Sequence, residues 1–121
     1  MTKQSKYDLQ ERLVAFSASI ITHSEKLNAT YAGQHLMKQL IRSSTASALN
    51  YGEAQAAESK KDFVHKMKVC LKELRETQVN LQILMKTSLI AKDTSFEPIV
   101  NECDELVAIF AASIKKVDNR E

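Results

Sequence analysis

Asp62 and His65 stand three residues apart, a spacing that puts a carboxylate and an imidazole on one helix face, as in di-metal carboxylate bundles. Such a centre needs a second pair and two more inward carboxylates. The chain has no second Asp/Glu-x-x-His, and Asp62 falls where a first helical turn takes a capping carboxylate. The expectation is therefore no metal. His23 lies on an apolar stripe, where a pH switch is conceivable. A half-buried ring satisfied by backbone or water is the commoner outcome. Activation of a thiol needs a basic neighbour or a helix N-terminus; Cys70 and Cys103 instead sit within helices on apolar stripes and read as small core hydrophobes. No Gly-rich phosphate loop or nucleophile elbow is present. The residues nominate no reaction and no cofactor, and the expectation is a non-catalytic protein.

Two polar groupings remain. Arg42, Asn50, Glu53, Glu73 and Glu76 fall on two successive helical segments. Arg42 and Glu53 are eleven residues apart and nearly eclipse on an ideal helix. Glu73 and Glu76 flank the apolar positions Cys70, Leu74 and Thr77. These five side chains suit either an inter-helix network that fixes packing register or a solvated face of local pairs. Sequence leaves open whether a network would lie within a chain or between chains. The second grouping is basic: Lys60, Lys61, Lys66, Lys68, Lys72 and Arg75, interrupted by Asp62, Glu73 and Glu76. On one helix this is an ordinary solvated face. Repeated around a ring, it becomes a candidate nucleic-acid contact whose strength grows with copy number.

Four helices are expected to position these groups, at about 5–27, 31–52, 59–86 and 95–118. In the first, Leu9, Leu13, Phe16, Ile20, His23 and Leu27 alternate spacings of four and three, which draws one stripe. Asn28-Ala29-Thr30 breaks it and offers a cap. The second opens on Leu36, Met37, Leu40 and Ile41, then turns small through Ser43, Ser44, Thr45, Ala46, Ser47 and Ala48, inviting close helix approach. Gly52 is the expected stop. Ser59-Lys60-Lys61-Asp62 caps the third, whose stripe is Phe63, Met67, Cys70, Leu74, Thr77, Leu81 and Leu84. A connection is expected over Thr87 to Thr94, with Thr94-Ser95-Phe96-Glu97 as the capping signal of the fourth. That helix carries Ile99, Cys103, Leu106, Phe110, Ser113 and Val117, and tolerates Pro98 in its first turn. Amphipathic helices with short connections predict an all-α, antiparallel up-and-down four-helix bundle in one domain.

Bulk properties narrow the function. A chain of 121 residues can bury a core without disulfides. Net charge of +2 and the absence of Trp give neither a strong nucleic-acid footprint nor a stacking platform. No apolar run approaches the ~20 residues of a membrane span. The polar start, Met1 to Glu11, has no signal-peptide core. Two isolated thiols suit a reducing compartment, so a cytoplasmic location is expected.

One stretch carries a family resemblance. Asn50-Tyr51-Gly52-Glu53-Ala54, then Glu58-Ser59-Lys60-Lys61-Asp62-Phe63, His65-Lys66-Met67 and Lys72-Glu73-Leu74-Arg75-Glu76-Thr77 resemble the bacterial four-helix-bundle family of proteins encoded in 23S rRNA intervening sequences. The accessory variability determinant proteins of diversity-generating retroelements are relatives. The resemblance implies an up-and-down bundle, a homopentameric barrel and no known catalysis. In the retroelement branch it implies binding to nucleic acid and to a reverse transcriptase. Two stretches depart from the pattern. Ser44 to Asn50 lacks the glycines that many members carry before the Asn, and Gln78 to Leu81 lacks the aromatics that often follow Glu-Thr. The resulting expectation is a self-assembling adaptor or scaffold, with a nucleic-acid-binding accessory as the alternative. The apolar residues beside the main stripes, Val64, Leu71, Val100, Val107, Ala111 and Ile114, suit either a wide core face or a second copy.

Overall fold

A computed structural model describes the backbone of residues 2–90 and 93–118 and the side chains from residue 9 onward within those ranges. Residues 91 and 92 of the expected connection, the polar tail beyond Asp118 and the side chains of the first eight residues lie outside the described residues. Four helices form: α1 (Thr2–Ser24), α2 (Tyr31–Gln55), α3 (Lys60–Met85) and α4 (Glu97–Asp118). No strand occurs among the described residues. Each helix packs on its neighbour in the chain, most extensively α2 on α3, and α1 meets α4 to close the bundle.

The directions follow from cross-helix pairs. Arg42 meets Glu76 and Glu53 meets Lys66, so α2 rises as α3 falls. Arg12 meets Glu102 and His23 meets Phe96, so α1 and α4 are also antiparallel. The architecture is thus the expected antiparallel four-helix bundle.

The starts of α2 and α3 obey local rules. Thr30 is extended and its hydroxyl accepts the Gly33 N–H at 3.0 Å. Ser59 is extended and its hydroxyl accepts the Asp62 N–H at 3.0 Å. Each satisfies a donor that a helix start would otherwise leave open. Gly33 is also where the α1–α2 connection comes closest. A Cβ there would lie 2.0 Å from the Leu27 carbonyl oxygen, so no larger residue fits without a backbone shift.

Two expected boundaries move. Gly52 does not stop α2, which continues to Gln55. No glycine among the described residues adopts positive φ, and the turn containing Gly52 buries Tyr51 and Ala54. That burial outweighs the roughly 1 kcal/mol that an interior glycine costs a helix. The cap before the fourth helix is Asp93 rather than Thr94. The Asp93 carboxylate accepts the Ser95 N–H at 2.9 Å and opens a 3-10 turn, Thr94–Phe96, that runs into α4. Lys26 holds this carboxylate at 3.1 Å, and the Ser95 and Lys26 contacts draw its pKa down to about 2.

The core combines large and small layers. Leu13, Phe16, Leu74, Leu106 and Phe110 are buried, and Tyr51 meets Phe110 edge-on at 5.6 Å. Val107 and Ile114 join the same core. Ser113 and Val117, read from sequence as stripe positions, are only half-buried. An ideal helix turns 3.6 residues, so a strict four-three stripe drifts by about 20° per heptad. By the fifth turn of α4, Ile114 has rotated inward in place of Ser113.

Candidate interaction groove

The α2–α3 pair has a closed inside and an open outside. Inside, Ser43 and Thr77 are fully buried and their hydroxyls lie 2.6 Å apart. The Thr77 hydroxyl donates to the Glu73 carbonyl at 3.0 Å, so Ser43 donates to Thr77 in a short chain that leaves no donor stranded. Ser17 reaches the Ser44 carbonyl from α1 at 3.0 Å, and Ser47 bonds back to the same carbonyl at 2.6 Å. The small-residue half of α2 is therefore a seam of satisfied hydroxyls, with α1 on one side and α3 on the other.

One residue away, the outside of the same pair forms an open groove of about 730 Å³. Gln39 and Arg42 line it from α2. Lys68, Leu71, Lys72, Arg75, Glu76, Val79 and Asn80 line it from α3. These α3 positions recur every three or four residues, in a stripe beside the core stripe of Met67, Cys70, Leu74 and Thr77. Arg42 pairs with Glu76, and its guanidinium also stands 3.3 Å from the Glu73 carboxylate. Glu73 is only 8% exposed, and this oxygen has ion-pair reach but no hydrogen bond among the described residues. Lys72 reaches Glu76 at 3.7 Å and Lys68 reaches Asp118 at 3.3 Å. Arg75 has no ion-pair partner among the described residues. Four cations thus share the groove with one lining carboxylate, and Val79, half exposed at 51%, lies among them.

The structure divides the sequence-predicted groups. Of the five polar residues, Arg42, Glu73 and Glu76 meet. Glu53 pairs separately with Lys66 at 2.6 Å. Asn50 is not in either cluster: its amide donates to the Ala46 carbonyl of its own helix at 2.8 Å. The five are therefore not one network. Of the six basic residues, Lys68, Lys72 and Arg75 come together, whereas Lys66 turns to α2 and Lys60 and Lys61 sit at the exposed start of α3. Sequence reading missed Gln39 as a groove residue. Its signal was its place one turn before Arg42 on the same face of α2.

The other chemical candidates settle into structural places. His65 is exposed and the Asp62 backbone N–H is held by the Ser59 cap. No group of three or more His, Cys, Asp and Glu among the described residues could hold a metal. His23 places Nδ1 2.9 Å from the Ser19 carbonyl oxygen, a contact that requires the proton on that nitrogen, and meets Phe96 edge-on at 5.9 Å. Cys70 and Cys103 are free and buried, and burial pushes both thiols up to about 12, so thiolate is scarce at neutral pH.

The chain matches the family model described as 23S rRNA-intervening sequence protein, over residues 5–112. The chain belongs to this family. A crystal structure of a protein of unknown function from the S23 ribosomal protein family of Bacteroides thetaiotaomicron superposes with a TM-score of 0.80 at 29% identity. The match covers 88% of this chain and 98% of that one. Among curated proteins, none matches the chain. The family is a helical one of unknown function. Among the described residues of this member, no helix is long and apolar enough to cross a membrane.

Proposed function

We propose that the chain is a non-catalytic, cytoplasmic bundle that assembles with copies of itself, as a pentamer, and serves as an adaptor or scaffold for a further partner. The observation that carries this reading is the outer apolar surface. Val14 and Ile21 are 54% and 40% exposed with exposed Ala18 between them on one line of α1. Val79 and Ile83 are 51% and 49% exposed on one line of α3. Single exposed apolar residues are ordinary, but rows of them on helices already packed on their inner faces support a second partner. The pentamer rests on the family resemblance. One chain weighs 13.6 kDa. Sedimentation equilibrium at micromolar concentration tests the reading: five times the single-chain mass is expected, and the single-chain mass itself rejects it.

A second reading is a nucleic-acid-binding accessory that works beside a reverse transcriptase. The four cations of the groove favour it. Such binding would be electrostatic, so affinity for duplex or single strands would fall steeply between ~50 and ~200 mM salt. Binding that ignores salt, or none at low salt, removes this reading for the isolated protein.

A further inference from the structure

Charge is distributed unequally between two neighbouring helices. α3 carries six basic residues against three acidic, and α4 carries five acidic against two basic. The exposed stripes have the same spacing. Lys68, Lys72 and Arg75 stand at steps of four and three along α3, and Glu97, Asn101 and Asp104 at steps of four and three along α4. The outermost charges of both stripes are seven residues, or ~10.5 Å, apart. Two stripes of equal pitch and opposite sign can therefore lie in register.

They do not meet within one chain. Lys68 stands beside Asp118 near the end of α4, and Asp104 stands beside Gln78, whose side chain donates to it at 2.9 Å. Along the bundle axis the basic stripe is thus level with the late part of α4, and the acidic stripe with the late part of α3. Among the described residues Arg75, Glu97 and Asp104 have no oppositely charged partner, whereas Glu102 and Glu105 are taken by Arg12. The groove also has apolar surface, Leu71 and Val79, and α4 has exposed Ala108 one turn beyond Asp104.

We infer that the α2–α3 groove of one copy receives the outer face of α4 of a second copy, with Lys68, Lys72 and Arg75 against Glu97, Asn101 and Asp104. This rests on the self-assembly reading and assigns its contact. The two surfaces are different, so the contact is heterologous: every copy offers a groove and a helix, and repetition closes a ring or extends a filament. The mixed lining favours a protein helix over a nucleic-acid backbone, which would leave Leu71 and Val79 without apolar partners.

Charge reversal tests the inference. In the intact chain, Lys68→Glu with Arg75→Glu should reduce the assembly to a folded monomer of single-chain mass, with helicity by circular dichroism unchanged. Glu97→Lys with Asp104→Lys should do the same. Combining all four substitutions restores opposite charges across the contact and should restore the wild-type mass. If wild type is assembled and either reversal leaves its mass unchanged, or the combination fails to restore it, the contact is wrong while self-assembly stands. If wild type is a monomer, self-assembly fails and the contact with it. A monomeric wild type that binds DNA or RNA, and loses this with Lys68→Glu and Arg75→Glu, gives the groove to nucleic acid and overturns the inference.

Discussion

Arg42 and Ser43 are consecutive on α2, and Glu76 and Thr77 are consecutive on α3, yet the two pairs they form have opposite characters. Ser43 and Thr77 meet with no exposure, and each hydroxyl proton has an acceptor. Arg42 and Glu76 meet in the open, at side-chain exposures of 58% and 39%, in a groove with cations to spare. The inner pair is complete within the chain. Its value is stability, because a stranded buried hydroxyl costs more than its hydrogen bond contributes. The outer pair is worth little to the fold, since exposed ion pairs contribute about 0–1 kcal/mol. Its surroundings carry unmatched charge that a partner can use. One step along a helix separates what holds the fold from what faces another molecule.

Substitutions on the two sides should separate these roles. The largest effect belongs to the inside. Leu74, fully buried between the helices, should lose about 2–5 kcal/mol on Leu74→Ala, read as a lower urea midpoint; a loss under about 0.5 kcal/mol, the range of surface positions, would show that this seam is not core. Thr77→Val removes the acceptor of the Ser43 hydroxyl and should cost about 1–3 kcal/mol. Adding Ser43→Ala should recover part of that loss, and strict additivity of the two would contradict the hydrogen-bond chain. The glycines of α2 predict opposite signs. Gly33→Ala must push against the Leu27 carbonyl and should destabilise. Gly52→Ala meets nothing nearer than the Gln10 side chain at 3.9 Å and should stabilise by about 0.5–1 kcal/mol. Smallest in stability is Arg75→Ala on the outside, within about 0.5 kcal/mol of wild type, while the assembled fraction falls.

The same division explains what was legible in the sequence. Large apolar side chains at four-three spacing mark the inside directly: of the α3 stripe Met67, Cys70, Leu74, Thr77, Leu81 and Leu84 are buried as their periodicity predicts, and Phe63 at its start is half-buried. Small residues are less explicit. Ser43, Ser44 and Ser47 are buried and Thr45 and Ala46 are not fully so, a split that the run of small side chains did not announce. Gly52 read as a stop because glycine is a common terminator, but the burial of Tyr51 and Ala54 around it is a tertiary effect. Glu73 and Glu76 were legible as flanking the stripe. Which cation each would meet depended on the axial register of α2 against α3, and that register excluded Asn50 and gave Glu53 to Lys66. Asp93 was missed as a cap because Thr94 fitted the familiar pattern and Lys26 lies far away in sequence.

If the outer face of the α2–α3 pair engages another copy through charge while the inner face holds the fold alone, salt should separate the two. Sedimentation velocity in rising salt, with circular dichroism on the same samples, tests this most directly. Screening shortens from ~10 Å at 0.1 M to ~3 Å at 1 M ionic strength. Over that range the assembly should dissociate toward the single-chain mass with helicity intact. An assembly whose mass is unchanged or greater at the highest salt would contradict a contact made through charge.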